Sequence, residues 1–410
     1  MTHGDLAQAL LQAVRAQHFE ATPDAICGGA PLMHFPSLDL AVIAFPQGAP
    51  PVWANVLFSR EQPQGIVADI AAAAGAVRNV RYLADRTDAQ LRSDAWLPGA
   101  DWSRLHFEPL AGSGTQRFVA PYPASLVKLM VAVGMARQVD GGACDWDSPA
   151  PFGGCTRPVA DWAEDMIVFS CNDSTSALVA LLHTQRAIVR ESDHETHNAL
   201  HDAFAAQGLH TLRLADTRAD GGWGNAAGAG VGHLQMTAWD SARLLWLLDA
   251  DAPSAPWLAP GSPALVSDAS RARIRTWLDD QALHEILSST ALAGVPGCVA
   301  GLPAELPARW IGIDGSVRAG SQASYPADVR AASQRAEVRF AHKTGSTESY
   351  ASDAGIVRGI APHRRHYIVA LITNLGTRYA PGEPCATPWR IPALGAAIDA
   401  AIAPWLEAQR

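Results

Sequence analysis

Lysine is nearly absent from this chain: among 31 basic side chains only Lys128 and Lys343 are lysines, and the other 29 are arginines. Positions that need only a positive charge are thus filled by arginine. The two exceptions mark places where a permanently charged planar fork cannot replace an ammonium able to lose its proton. Long apolar runs are missing as well, and none approaches the roughly 18–20 residues that span a bilayer. A formal net charge of −9 with no basic stripe excludes a phosphate-backbone binder, so neither nucleic acid nor a membrane span is expected. Six cysteines (27, 144, 155, 171, 298, 385) are too few for a disulfide scaffold and form no C-x-x-C knuckle. Cys144 and Cys155 flank a short Pro/Gly-rich loop, where they either pair in an oxidising compartment or remain separate thiols. The 14 histidines show no paired-ligand spacing, so no metal and no cofactor is expected.

What is present is the composition of a folded globular protein, 48% hydrophobic and 17% charged. The spacing predicts an amphipathic helix over 5–17 and a strand hairpin over 38–45 and 52–58. Helices follow over 125–138, 159–169, 174–182 and 237–248, and one more near 268–288. Strands return over 338–344, 353–358 and 366–373, and an apolar-periodic helix over 392–407 closes the chain. This order predicts an α/β (α+β) fold: an antiparallel five-stranded sheet flanked by N- and C-terminal helices, with a central all-helical subdomain. We expect one catalytic domain over 1–410, a sheet subdomain (1–120 plus 300–410) and a helical subdomain (121–299). The Gly/Pro/Ser-rich stretch 300–336 is expected to be a surface insertion, and the chain a monomer.

Both lysines sit in motifs. Ser125-Leu-Val-Lys128 is an S-x-x-K at a predicted helix start, which places the Ser125 hydroxyl and the Lys128 amine on one face, a turn apart. A serine is a poor nucleophile until a base takes its proton, and a buried lysine near a second positive charge can be that base. The helix N-terminus adds backbone N–H groups that stabilise an oxyanion. Lys343-Thr344-Gly345 ends a strand-like run. Its ammonium and hydroxyl suit a substrate carboxylate, and the glycine lets a substrate backbone lie against the strand. On charge alone, Lys343 is a position where another cation would be tolerated. Between them lies Ser170-Cys171-Asn172, an S-x-N triplet. Ser170 is placed to pass a proton between the lysines and a leaving nitrogen, and Asn172 to hold Lys128 or a substrate amide, although Ser and Asn also make ordinary helix caps.

S-x-x-K, then S-x-N, then K-T-G in this order resembles the class A β-lactamases and penicillin-binding proteins. The surrounding runs Met166-Ile-Val-Phe-Ser-Cys-Asn-Asp-Ser-Thr-Ser-Ala-Leu and His342-Lys-Thr-Gly-Ser-Thr agree, and the resemblance is strongest over 120–250 and 338–376. It implies that Ser125 is acylated with Lys128 as its base, and that Ser170 and Asn172 form the second motif. It further implies that Lys343 and Thr344 bind the substrate carboxylate beside Gly345, and that the Ser125 and Ser346 N–H groups form the oxyanion hole. The substrate class so implied is a β-lactam or a peptidoglycan-like D-alanyl peptide, with an ester as the alternative. The family's home is periplasmic or secreted, whereas Met1-Thr-His-Gly-Asp-Leu lacks the basic start of a signal peptide, so location stays open.

The pattern breaks at one point. Class A β-lactamases hydrolyse their acyl-enzyme with a loop Glu in an E-x-x-L-N segment. The matching stretch here is Asp220-Gly-Gly-Trp-Gly-Asn225, and no Glu occurs between Glu195 and Glu285. Asn225 stands where the loop Asn would. Asp220 is the nearest candidate for the deacylation base, or else simply a turn former beside two glycines. Without that base, acylation survives and deacylation slows, which describes a sensor or a DD-peptidase rather than a fast β-lactamase.

Overall fold

The computed structural model describes every residue except 33, 86–92, 98, 193, 224–233, 320–322 and 409–410. Its main sheet comprises β1 (Leu38–Ala44), β2 (Val52–Phe58), β3 (Ile66–Val67), β4 (Val338–Ser346), β5 (Ala351–Gly359) and β6 (His366–Thr373). The order is β4-β5-β6-β1-β2-β3, antiparallel throughout. Five long strands match the expected five-stranded sheet, and β3 adds a two-residue edge. The chain leaves the sheet after β3 and returns at β4.

Period-two alternation buries both faces. Leu38, Leu40, Val42 and Ala44 of β1 join one core, and Ala41 and Ile43 join the other. β6 repeats this, with Tyr367, Val369 and Leu371 on the first side and Ile368, Ala370 and Ile372 on the second. The first side is covered by α1 (His3–Arg15) and, at the far end of the chain, by helix Arg390–Glu407. A capping box between Thr2 and Asp5 starts α1.

The second side is covered by helices α2 (Lys128–Asp140), α3 (Val159–Val168), α4 (Asn172–Thr184), α5 (Ala238–Leu248) and α6 (Asp268–Asp279). Each fully buried aliphatic side chain here contributes about 1.5–3 kcal/mol. The helix expected to reach 288 stops at Asp279. Beyond it the Gln281 amide donates to Ile167 O (2.8 Å), and Ala282 N donates to Val168 O (3.3 Å). These contacts draw the chain out of the helix and along the end of α3.

Residues 300–336, the stretch expected as a surface insertion, mix buried and exposed positions. They hold a hairpin (Val317–Ala319 with Ala323–Tyr325) whose Val317 and Tyr325 are buried in a small core with Leu292, Leu306 and Cys385. Trp310 meets Phe169 edge to face at 5.1 Å, and Arg309 bridges Glu164 (3.2 Å) and Asp280 (3.1 Å). The segment is docked on the helical layer. Its apolar residues are too widely spaced for periodicity to reveal that burial. The described residues contain no helix long and apolar enough to cross a membrane.

Candidate active site

Ser125 lies in a 3-10 turn, Ala124–Val127, that runs directly into α2 at Lys128. Two features hold that turn against the sheet. The Ser352 hydroxyl of β5 donates to Pro123 O at 2.6 Å, and Gly345 of β4 packs onto the turn itself. A Cβ at 345 would stand 2.7 Å from Ser125 N and 2.8 Å from Leu126 N, so only glycine permits this approach. The K-T-G glycine thus fits against the backbone of the Ser125 turn itself.

Both lysines are fully buried. Lys128 Nζ donates to Ser170 O (2.5 Å), Asn172 Oδ1 (2.8 Å) and Ser170 Oγ (3.2 Å). These three acceptors fill its donors, and among the described residues Lys128 shares no hydrogen bond with Ser125. Lys343 Nζ donates to Ser170 Oγ (2.9 Å) and Thr344 O (2.6 Å). The Ser170 hydroxyl therefore stands between the two amines. Ser170 is held in the left-handed region (φ 59°), as is Ala124 (φ 50°) beside Ser125. Such backbone costs about 1–3 kcal/mol at each position and is found where function requires it.

The electrostatics follow from burial. Desolvation drives Lys128 well below the ordinary lysine value, and the Lys343 charge pushes it further. Lys343 falls to about 7, again through desolvation, with Asp353 and Glu285 limiting the fall. Arginine is thus as unsuited to 343 as to 128, and the expected tolerance of another cation there has no physical basis in this burial. Beneath Lys343 the buried His342 Nδ1 pairs with Asp353 Oδ1 at 2.7 Å, while Leu287 N donates to Asp353 Oδ2 at 3.0 Å. Desolvation and then the Lys343 charge hold His342 well below its usual value.

A cavity of about 340 Å³ brings Ser125, Ser170, Asn172, Thr344, Gly345 and Ser346 together. Asp220 does not belong to it. It is exposed, and its Oδ1 accepts Gly222 N at 3.0 Å, forming the turn that two following glycines invite. Asn225 lies outside the described residues. The loop reaches the site instead through Trp223, whose ring lies 5.3 Å from Lys128 Nζ. Cys144 and Cys155 are separate thiols. Among the described residues no group of three or more His, Cys, Asp or Glu side chains is arranged to hold a metal.

The residues that sequence reasoning missed line the rest of the cavity: Glu285, Ser324, Tyr325, Thr377 and the 383–386 loop. Glu285 accepts the Tyr325 hydroxyl at 2.5 Å. The only signal at Glu285 in the sequence is that it ends a long Glu-free stretch.

No protein-family model and no curated protein matches this chain. In fold it is similar to a class A β-lactamase from Bacteroides cellulosilyticus, at 13% identity and TM-score 0.48, covering 100% of this chain and 99% of that one. It is similar also to the TLA-1 extended-spectrum β-lactamase, at 11% identity and TM-score 0.47, with 98% and 99% of the two chains covered. PBP-A matches at 16% identity and TM-score 0.40, over 70% of this chain and 82% of that one. At these identities and TM-scores the likeness carries no role over to this chain, and the chemistry rests on its own residues.

Proposed function

We propose that the chain is a serine hydrolase that forms an acyl-enzyme on Ser125. The observation that carries this reading is the Ser170 hydroxyl, 3.2 Å from one buried lysine and 2.9 Å from the other, in the cavity that holds Ser125. A neutral Lys128 has a lone pair free, and Ser125 gives it a proton as Oγ bonds the substrate carbonyl carbon. The carbonyl oxygen takes up the negative charge beside the Ser125 and Ser346 N–H groups. When the carbonyl re-forms, the C–N bond (C–O in an ester) breaks, and Ser170 relays the proton from Lys128 to the leaving atom. Lys343 keeps the Ser170 lone pair occupied, which orients its hydrogen toward that path. Asn172 Oδ1 fixes Lys128 and leaves its amide NH2 for the substrate. By resemblance, the substrate is a β-lactam or a D-alanyl-peptide amide, with an ester as the alternative.

One observation favours a second reading. The candidate deacylation base, Asp220, is exposed and committed to its turn, so an acyl-enzyme that persists fits this chain as a penicillin-binding sensor or DD-peptidase. A single experiment separates the readings. The protein is mixed with a chromogenic cephalosporin, a fluorescent penicillin and a chromogenic ester, and product and intact mass are followed. Steady turnover supports the hydrolase, and one lasting adduct supports the sensor. Signals that survive Ser125→Ala unchanged would sink both.

A further inference from the structure

Lys128 has no exposed surface. Among the described residues, three acceptors on Ser170 and Asn172 meet its amine, and the half-buried Trp223 ring covers it at 5.3 Å from Nζ. Neither Lys128 nor Trp223 lines the cavity, so a water there would meet Ser125, Ser170 and Asn172 but not the amine. The loop that carries the ring is fixed at its root and at its turn. Arg190 Nη1 donates to Asp216 Oδ1 at 3.0 Å, and the Thr217 hydroxyl meets His183 Nε2 at 2.9 Å. Gly221 N donates to Arg218 O at 3.0 Å, and Arg218 N to Gly222 O at 2.7 Å. Gly221 has φ 93° and lies flat on α4, where a Cβ would stand 2.5 Å from Ser176 O and 2.9 Å from a Phe152 ring carbon. It also stands four residues before Asn225, the spacing of the Glu in E-x-x-L-N, so a carboxylate side chain there would displace the turn. What the turn presents instead is Trp223, packed against the helical core.

We propose that Trp223 shields the Lys128 amine from water, so that the base which starts acylation cannot serve deacylation and the acyl-enzyme lasts. The inference rests on the acyl-enzyme reading and gives its persistent form a cause. The blocked step is hydrolysis through Lys128. A water would bond its oxygen to the acyl carbon and give its proton to the Lys128 lone pair. As the bond from that carbon to Ser125 Oγ breaks, Lys128 would return the proton to Oγ. Such a water must come within hydrogen-bond reach of Nζ. On the line to the ring, a water about 2.9 Å from Nζ would stand only about 2.4 Å from the ring centre, well inside van der Waals contact.

The same cover bears on the amine's charge. Desolvation is the largest influence holding Lys128 well below the ordinary lysine value; the Lys343 charge adds to it, and Cys171 opposes both. A ring face attracts an ammonium, but more weakly than the loss of hydration disfavours one. Removing the ring should therefore hydrate the amine and raise the pH at which it gives up its proton.

With only two lysines in the chain, the amine can be observed directly. Protein isotope-labelled at the lysine Cε carbons gives two signals to titrate by NMR, and Lys343→Met assigns them. Trp223→Ala should move the Lys128 midpoint up toward that of a free lysine, and Trp223→Phe, which keeps most of the cover, should move it less. Decay of the acyl-enzyme is followed by intact mass after excess penicillin is removed. Trp223→Ala should speed that decay by about tenfold or more, part of the 10²–10⁴-fold that a base within reach of water contributes, and Trp223→Phe by roughly two- to threefold. An unchanged Lys128 midpoint in Trp223→Ala, or an adduct that decays no faster than on native protein, would overturn the proposal. Should Trp223→Ala fold poorly, Trp223→Phe decides by the same two readouts. If no adduct forms on any of these proteins, the acyl-enzyme reading falls, and the titration alone decides whether Trp223 shields the amine.

Discussion

One wall of the cavity is backed by two buried lysines and carried by regular elements, and the other holds two glutamates and is carried by loops and a hairpin of three-residue strands. The first takes Ser125 and Lys128 from a helix start, Ser170 and Asn172 from the junction of α3 and α4, and 343–346 from the end of β4. The second takes Glu285 from the stretch where α6 has ended, Tyr325 from the docked segment and Glu383 from the loop before the last helix. Buried lysines demand the rigid wall, because a desolvated amine is held only where fixed acceptors meet it, as Ser170 and Asn172 do for Lys128 and Ser170 and Thr344 do for Lys343. The glutamate wall is held by fewer such contacts, chiefly the Tyr325 hydroxyl on Glu285, and contains none of the motif residues. The contrast separates the motif residues, which carry the proposed acylation, from a wall that takes no part in it.

The largest effect expected from breaking the first wall is at Lys128. Lys128→Met should slow acylation by about a thousandfold or more, since a general base contributes 10²–10⁴-fold. Lys128→Arg should do no better, because arginine offers no neutral form. The pH profile gives the sign. With its pKa depressed by desolvation, Lys128 sheds its proton at lower pH than a free lysine, so acylation should rise through that depressed value and then level off. A midpoint near 10.4, the value of an unperturbed lysine, would remove Lys128 as the base. Lys343 supplies a stability counterpart. Its folded value is about 7 and its unfolded value about 10.4, so the unfolded chain binds the extra proton between them and stability rises with pH across that window. Lys343→Met should therefore raise the melting temperature near pH 6 while abolishing activity, a trade-off that a purely structural lysine would not show.

Next in size is Gly345→Ala. The new methyl meets Ser125 N at 2.7 Å, and the turn carrying the nucleophile must move. Misplacement by a fraction of an ångström to an ångström costs up to about a hundredfold in rate. Overpacking should cost about 1–3 kcal/mol of stability, so a variant that folds but melts a few degrees lower and acylates slowly is the expected outcome. Acylation at the native rate would show that the turn adapts and that Gly345 serves the substrate alone.

The two walls also differ in how far the sequence revealed them. The motif wall was legible because each part is short and local: S-x-x-K spans one turn, and K-T-G ends a strand whose alternation is plain. The five long strands were legible for the same reason, since Leu38, Leu40 and Val42 set against Ala41 and Ile43 state both faces at once. The Ser170 geometry was only half legible. The triplet was visible, but the left-handed backbone that turns its hydroxyl between the lysines depends on tertiary contacts. The second wall was not legible. Glu285 was expected inside a helix running to 288, and Tyr325 inside a surface insertion. What brings them together is the Gln281 side chain ending α6 against Ile167 O, and the docking of Trp310 on Phe169. Contacts over such sequence separations leave no periodic trace.

That docking yields a smaller prediction. Trp310 Nε1 donates to Asp280 O at 2.8 Å, and its ring braces Phe169 at the cavity edge. Trp310→Ala should loosen the second wall and raise KM by about tenfold or less with kcat nearly unchanged, the signature of lost uniform binding. A fall in kcat with KM constant would mean instead that the docked segment supports the nucleophile's wall.

The smallest effect is expected at Asp220, where the sequence pointed to a catalytic carboxylate. A base must come within hydrogen-bond reach of the water it activates, directly or through one more water. Asp220 is exposed, lies off the cavity lining, and already accepts Gly222 N at 3.0 Å. Asp220→Asn keeps an acceptor oxygen for that turn while removing the charge, so deacylation should change by less than about twofold, whereas loss of a working general base would cost about 10²–10⁴-fold. The measurement is the decay of the acyl-enzyme by intact mass after excess substrate is removed, run beside Glu285→Gln. A hundredfold slowing in Asp220→Asn alone would return catalysis of deacylation to the loop and make this chain's hydrolysis resemble that of a class A β-lactamase. Equal rates in Asp220→Asn and native protein would leave deacylation to water without a carboxylate base on that loop, consistent with an enzyme built more for capture than for release.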